Sequence, residues 1–216
     1  MALLEVHNLT KKYGNRTIID SLSFSLEPTQ TMAIMGESGA GKSTLLNMIG
    51  LLEPPTSGTI QIAGNNAPGI NSATATKLRR NTVSYLFQSY ALLESHTALE
   101  NVLLGMKYSQ LPKKDREAEV RRVLKRLGLR DVIDAKVFTL SGGEQQRVAI
   151  ARCMLKPGQL ILADEPTGAL DHHLASVVLD ELFALCHEYG KALVVVTHDA
   201  EVAARCELQL SIGRVA

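Results

Sequence analysis

The chain has 216 residues, enough for one domain with a sizeable core. Its 23 lysines and arginines nearly balance 22 aspartates and glutamates, so no global field draws it to nucleic acid or to an anionic membrane. No stretch approaches the ~18 apolar residues of a spanning helix, and the N-terminus lacks the layout of a signal peptide, so any membrane association is expected to come through a partner. Cys153, Cys186 and Cys206 lie far apart, fit neither zinc spacing nor a disulfide framework, and read as small buried hydrophobes.

In chain order, Leu4-Glu5-Val6 and Ser21 to Leu26 alternate apolar and polar residues, with the turn signal Tyr13-Gly14-Asn15 between them. That predicts an antiparallel, half-exposed sheet, joined by Gly58 to Ile62. Met32 to Met35 is instead a continuous apolar run, ending at Gly36. Val83 to Phe87 ends at Gln88, Leu160 to Ala163 at Asp164, and Leu193 to Val196 at Thr197 and His198 in the same way. Such runs suit strands of a parallel sheet covered on both faces, and ligands of such sheets sit beyond the carboxyl ends of the strands. All these polar clusters are therefore expected along one edge. Between Gln88 and Ser141 the helical period takes over: Val120, Val123, Leu124 and Leu127 fall on one face and Gly128 supplies a stop. The basic residues from Lys113 to Arg130 are interspersed with Asp115, Glu117 and Glu119 and lack alternating aromatics, so they read as a solvated helix face.

Gly36-Glu37-Ser38-Gly39-Ala40-Gly41-Lys42-Ser43 satisfies the pattern G-x-x-x-x-G-K-S/T between an apolar strand and an apolar helix. Glycines let the backbone curl so that successive N–H groups face phosphate oxygens, and a helix beginning near Lys42 adds its positive dipole end. Lys42 is expected on the β- and γ-phosphates, Ser43 on Mg²⁺, and Thr44 on a further phosphate oxygen. Asp164, after a buried strand, is the expected Mg²⁺ carboxylate. Glu165 stands one residue on, where an acid can reach the water in line with the γ-phosphate. Leu140-Ser141-Gly142-Gly143-Glu144-Gln145-Gln146-Arg147 reads as a second anion site, with Ser141 capping a helix and two glycines allowing close approach. The simpler reading of the same pattern is an ordinary capping box.

That octet resembles the signature motif of ABC ATPases, and with the phosphate loop upstream and Asp164-Glu165 downstream the resemblance covers nearly the whole chain. It implies an α/β fold: a P-loop NTPase core with a mainly parallel sheet, an N-terminal antiparallel β subdomain and an inserted helical subdomain at approximately 89–155, in a single domain. Tyr13 matches the aromatic that stacks on adenine, although alone it could equally be a core residue. Gln88 matches the glutamine that touches Mg²⁺ or the attacking water beside the transmembrane partner. Gly168 to Asp171 resembles the loop that crosses to the other subunit, and His198 the histidine that senses the γ-phosphate. His172 and His173 read as exposed.

Finer features are similar to ATPases of the macrolide-exporter, lipoprotein-releasing and bacteriocin-export type: Ala163 to Asp171, Gln88 to Leu93 with Thr97 to Val102, and Gly50 to Gly58. The last apolar run lies close to the end of the sequence, so the regulatory domain of some sugar importers is not expected. The resemblance therefore implies ATP and Mg²⁺ as ligands and export as the direction. It implies a head-to-tail homodimer with ATP between Lys42 of one subunit and Ser141 of the other, and a separate permease that brings the chain to the inner face of the membrane. Alternatives are an importer ATPase and an ATPase regulator of a membrane complex, of the cell-division type. A non-transport ABC ATPase acting on DNA or ribosomes would be expected to carry a coiled-coil insertion or a second module, and this sequence has neither.

Overall fold

The computed structural model describes residues 1–87, 89–168 and 170–213. Its strands are β1 (Leu4–Tyr13), β2 (Arg16–Leu26), β3 (Thr31–Met35), β4 (Ser57–Ile62), β5 (Asn65–Asn66), β6 (Val83–Leu86), β7 (Leu160–Asp164), β8 (Ala192–Val196) and β9 (Leu208–Ser211). Its helices are α1 (Lys42–Ile49), α2 (Ala73–Asn81), α3 (Ala98–Gly105), α4 (Lys113–Arg126), α5 (Gly142–Leu155), α6 (His172–Glu188) and α7 (Ala200–Ala204).

The alternating N-terminal residues form an antiparallel sheet in the order β2-β1-β4-β5. Leu4 faces Leu26 and Ile62, and Val6 faces Phe24 and Ile60, so the apolar members of the alternation share one face. Leu4, Val6, Leu26, Ile60 and Ile62 are buried there.

The continuous apolar runs, joined by β9 at one edge, form the second sheet, in the order β6-β7-β8-β3-β9, with every neighbour parallel. Period two sorts their side chains between two cores. Ala33, Ile161, Ala163, Leu193 and Val195 pack toward α3, α4, α5 and α6. Ile34, Leu162, Val194 and Val196 pack toward α1 and the antiparallel sheet. Each fully buried leucine or isoleucine contributes roughly 1.5–3 kcal/mol, which is why these strands carry no polar face. Ile34 and Asp164 both pair with Val196, and Leu86 pairs with Ala163, so the strands finish together and their polar followers share one edge.

Two stretches differ from the sequence reading. Residues 89–97 are not helical; α3 begins only at Ala98, behind a capping box of Thr97 and Glu100. The amide of buried Asn101 secures the stretch before it by bonding both the N–H (2.8 Å) and the C=O (3.0 Å) of Leu93. The edge strand β9 was not foreseen; it pairs Leu208 to Ser211 with Met32 to Met35. In α4 the expected face is buried, and Gly128 ends it at φ 71°. Arg121, Arg122 and Arg126 on its outer face are occupied by Glu117, Glu119, Asp134, Glu181 and Glu188. No helix among the described residues is long and apolar enough to cross a membrane.

Candidate nucleotide site

The loop between β3 and α1 is shaped by its glycines. A Cβ on Gly36 would lie 2.3 Å from the carbonyl oxygen of Ile212, so no side chain fits there. Gly41 is left-handed (φ 93°) and presses on Ile18, whose Cγ2 would be 2.6 Å from a Cβ. α1 starts at Lys42 with no side chain capping its amides, which leaves its N-terminus open to an anion. The Lys42 ammonium donates to the carbonyls of Gly36 (2.7 Å) and Glu37 (3.0 Å), which holds it over the loop.

A cleft of about 540 Å³ opens at this edge, lined by Ser38, Gly39, Gly41, Lys42, Ser43 and Thr44 of the loop and by Asp164 and Glu165. Tyr13 lines it too, and at 50% exposure it is not a core residue. Its hydroxyl donates to Glu53, which raises the phenol's pKa, and the Lys11 ammonium sits 4.9 Å from its ring centroid. Arg16 and Ile18, lining the same cleft, were missed by the sequence reading because nothing in a strand's first residues marks them.

Glu165 adopts a left-handed backbone (φ 49°), a conformation that costs a non-glycine residue roughly 1–3 kcal/mol. Its amide donates to Val196 O (3.0 Å) and its carbonyl accepts from Gly168 N (3.1 Å), which offset that cost. Gln146, reaching from α5, donates to the carbonyls of Glu165 (3.4 Å) and Pro166. The Glu165 carboxylate meets Nδ1 of His198 at 2.7 Å, and this hydrogen bond raises the imidazole's pKa.

The other expected residues lie elsewhere. Ser141, Gly142 and Gly143 do not line the cleft. Ser141 caps α5 in a capping box, its amide and hydroxyl both donating to Glu144 Oε2 at 2.8 Å. The backbone N–H from Ser141 holds the Glu144 carboxyl below its usual range, so a carboxylate occupies this helix start. Gly143 packs on Leu170, whose Cδ2 would be 3.0 Å from a Cβ. Asp171 caps α6 by accepting from Leu174 N at 3.0 Å. Gln88 falls outside the described residues. Arg147, only 8% exposed, has Nε and Nη1 without a partner among the described residues, although the sequence reading gave it no role.

The sequence model of the family described as "ABC transporter" matches residues 19–168, which include the phosphate loop, the Ser141 octet and Asp164-Glu165. The chain belongs to the ABC transporter family. Its cassette fold is shared with the bacterial ABC transporter cassette MJ0796, in a structure reported as dimeric: TM-score 0.87, 36% identity, covering 97% of this chain and 94% of that one. A second MJ0796 structure, described as a dimeric post-hydrolysis state bound to ADP and Pi, matches at TM-score 0.87 and 34% identity, over 99% of this chain and 97% of that one. The expected likeness to macrolide exporters is borne out: the macrolide export ATP-binding/permease protein MacB of Salmonella typhimurium is 41% identical over 98% of this chain and 33% of its own length. The pyoverdine export ATP-binding/permease protein PvdT of Pseudomonas aeruginosa is 39% identical over 95% of this ABC cassette and 32% of its own length. The chain thus spans about a third of the length of these curated relatives.

Proposed function

We propose that this ABC cassette binds and hydrolyses ATP as a homodimer and powers export through a transmembrane permease, which brings it to the cytoplasmic face of the membrane. The observation that carries the reading is the one cleft lined by Lys42, Ser43, Asp164 and Glu165, with His198 2.7 Å from the Glu165 carboxylate. The likeness to the export ATP-binding/permease proteins MacB and PvdT, and to MJ0796, dimeric in a structure bound to ADP and Pi, supports it. The ATPase domain would extend over residues 1–216, with a helical subdomain at approximately 89–155.

The loop amides from Gly36 to Thr44 and the Lys42 ammonium would hold the phosphates, and Tyr13 the adenine face. Ser43 and Asp164 line one cleft and offer a hydroxyl and one carboxylate, a sparse set that suits Mg²⁺, which keeps waters and takes its other ligands from phosphates. Bound there with Gln88 as a further ligand, Mg²⁺ would supply charge neutralisation. Glu165 would accept the proton of the attacking water, and His198 would orient that carboxylate. Positioning and electrostatics carry such chemistry, without a covalent intermediate. Because Ser141 to Gly143 do not line the cleft, they would complete the cleft of a second copy, with Asp171 crossing at the same interface. A groove of about 320 Å³ lined by Leu52, Tyr85, Phe87 and Ala91, near the start of the 89–127 segment, is where the permease would dock.

Glu165→Gln tests the reading. It should keep ATP affinity, lose turnover, and give an ATP-dependent dimer on gel filtration. Near-normal hydrolysis would remove Glu165 from its role.

A further inference from the structure

Directly after position 88, two successive non-glycine residues have left-handed backbone, Tyr90 (φ 62°) and Ala91 (φ 48°). L-residues rarely adopt it, because the Cβ crowds the neighbouring carbonyl, and two in succession call for an external hold. That hold comes from α5. Nη2 of Arg152 donates to the Tyr90 carbonyl at 2.6 Å and Nη1 to the Ala91 carbonyl at 2.5 Å, so one planar guanidinium spans both. No carboxylate pairs with Arg152 among the described residues, so these carbonyls are its partners. Its stem is fixed as well: a Cβ on Gly105, at the end of α3, would lie 2.9 Å from Arg152 Cγ. The loop also reaches the other end of α5, where the Tyr90 hydroxyl is 3.4 Å from the Cβ position of Gly142. Midway along the same helix, Gln146 holds the carbonyls of Glu165 and Pro166.

We propose that Arg152 is a positioning residue for ATP hydrolysis: its fork fixes the backbone of Tyr90 and Ala91, so that the loop after position 88 and the helix bearing Ser141 move as one body. The proposal rests on the ATPase reading above. A helix that grips both this loop and the Glu165 turn transmits a displacement of either to the other, because an α-helix is stiff along its axis and its grips are hydrogen bonds to backbone. The guanidinium plane matters, since an ammonium on a flexible stem cannot present two parallel N–H groups.

The test uses the full chain carrying Arg152→Lys, alone and combined with Ala91→Gly. Deuterium exchange of the amides in residues 89–97 should quicken about fivefold or more in Arg152→Lys. The kcat for ATP should fall by about the same factor, with KM and the thermal midpoint little changed. Adding Ala91→Gly should leave kcat low, since glycine removes the cost of positive φ but does not restore the tie between loop and helix. Gly105→Ala, which displaces the Arg152 stem by another route, should quicken exchange in the same peptide. Unchanged exchange in Arg152→Lys overturns the clamp. Full recovery of kcat in the double variant would mean that only the shape of the loop matters and not its tie to α5, and also overturns it, as does a lowered thermal midpoint that accounts for the lost turnover. A wild-type chain that does not hydrolyse ATP removes the ATPase reading and the catalytic half of this proposal together, while the exchange arm still decides the clamp.

Discussion

Nδ1 of His198 lies 2.7 Å from Oε1 of Glu165, although the two residues follow different strands. Strand register accounts for the meeting: Asp164 of β7 pairs with Val196 of β8, so the residues that follow both strands leave the sheet side by side. The left-handed turn at Glu165 then directs its carboxylate across the gap. Glu165 is mostly sheltered at 18% side-chain exposure, whereas His198 is open at 77%, so the imidazole covers the acid from the solvent side.

His198→Ala should therefore disturb orientation of the acid more than nucleotide affinity. We expect kcat to fall about tenfold to a hundredfold, with ATP binding changed by no more than about threefold. Steady-state kinetics beside titration with a fluorescent nucleotide reads both quantities, and a kcat close to wild type would exclude the orienting role.

Gly36→Ala places a methyl against the Ile212 carbonyl, where only 2.3 Å is available. Backbone on both sides cannot yield cheaply, so the loop should lose its shape and the chain about 1–3 kcal/mol of stability. Denaturant unfolding should show a lowered midpoint together with weakened ATP binding. A variant with wild-type affinity would mean that the loop tolerates the shift.

At Ser141 the Glu144 carboxylate already occupies the helix start that an ATP phosphate from a second copy would approach. Glu144→Gln retains an acceptor for the Ser141 amide and removes the negative charge. It should strengthen ATP-dependent dimerisation, while Glu144→Ala, which loses the box, should lower stability by about 1 kcal/mol. Dimer dissociation constants from sedimentation compare the variants, and weaker dimers in Glu144→Gln would contradict the repulsion argument.

Lys191 is only 4% exposed and donates to the carbonyls of Lys156 (2.8 Å) and Gly158 (2.6 Å). Burial pulls its pKa from 10.5 down to about 8. Between those values the unfolded chain binds the extra proton, so this site's contribution to stability rises with pH; below about 8 both states are charged and the burial penalty is full. In Lys191→Met that rising component should vanish. Urea midpoints at about pH 7.5 and 9.5 should show wild type gaining on the variant as pH increases, and a constant difference would refute the assignment.

How much of this was legible beforehand follows from the physics of each element. The central strands were readable because burial on both faces demands an unbroken apolar run. β9 was not, since Leu208-Gln209-Leu210-Ser211 is a short alternating edge. α2 escaped because Ala75 is its one buried residue, leaving no apolar stripe to see. The phosphate-loop pattern was readable because its signal lies in one short stretch, with glycines at 36, 39 and 41 before Lys42. Its restraints were not: Gly36 is forced by Ile212 and Gly41 by Ile18, contacts distant in sequence. For Ser141 the sequence admitted both a capping box and an anion cradle, and the box is formed. The grip of Arg152 was hidden because it acts on carbonyls, which every residue possesses, and on φ angles that Tyr90 and Ala91 do not advertise.

The central sheet sends alternate side chains into separate interiors, Leu193 and Val195 to one, Ala192, Val194 and Val196 to the other. Drift in the helical half can thus accumulate without repacking the half that shapes the phosphate loop. A lineage of such cassettes could vary on one side of its sheet while the side that carries the glycine-rich loop stayed unaltered.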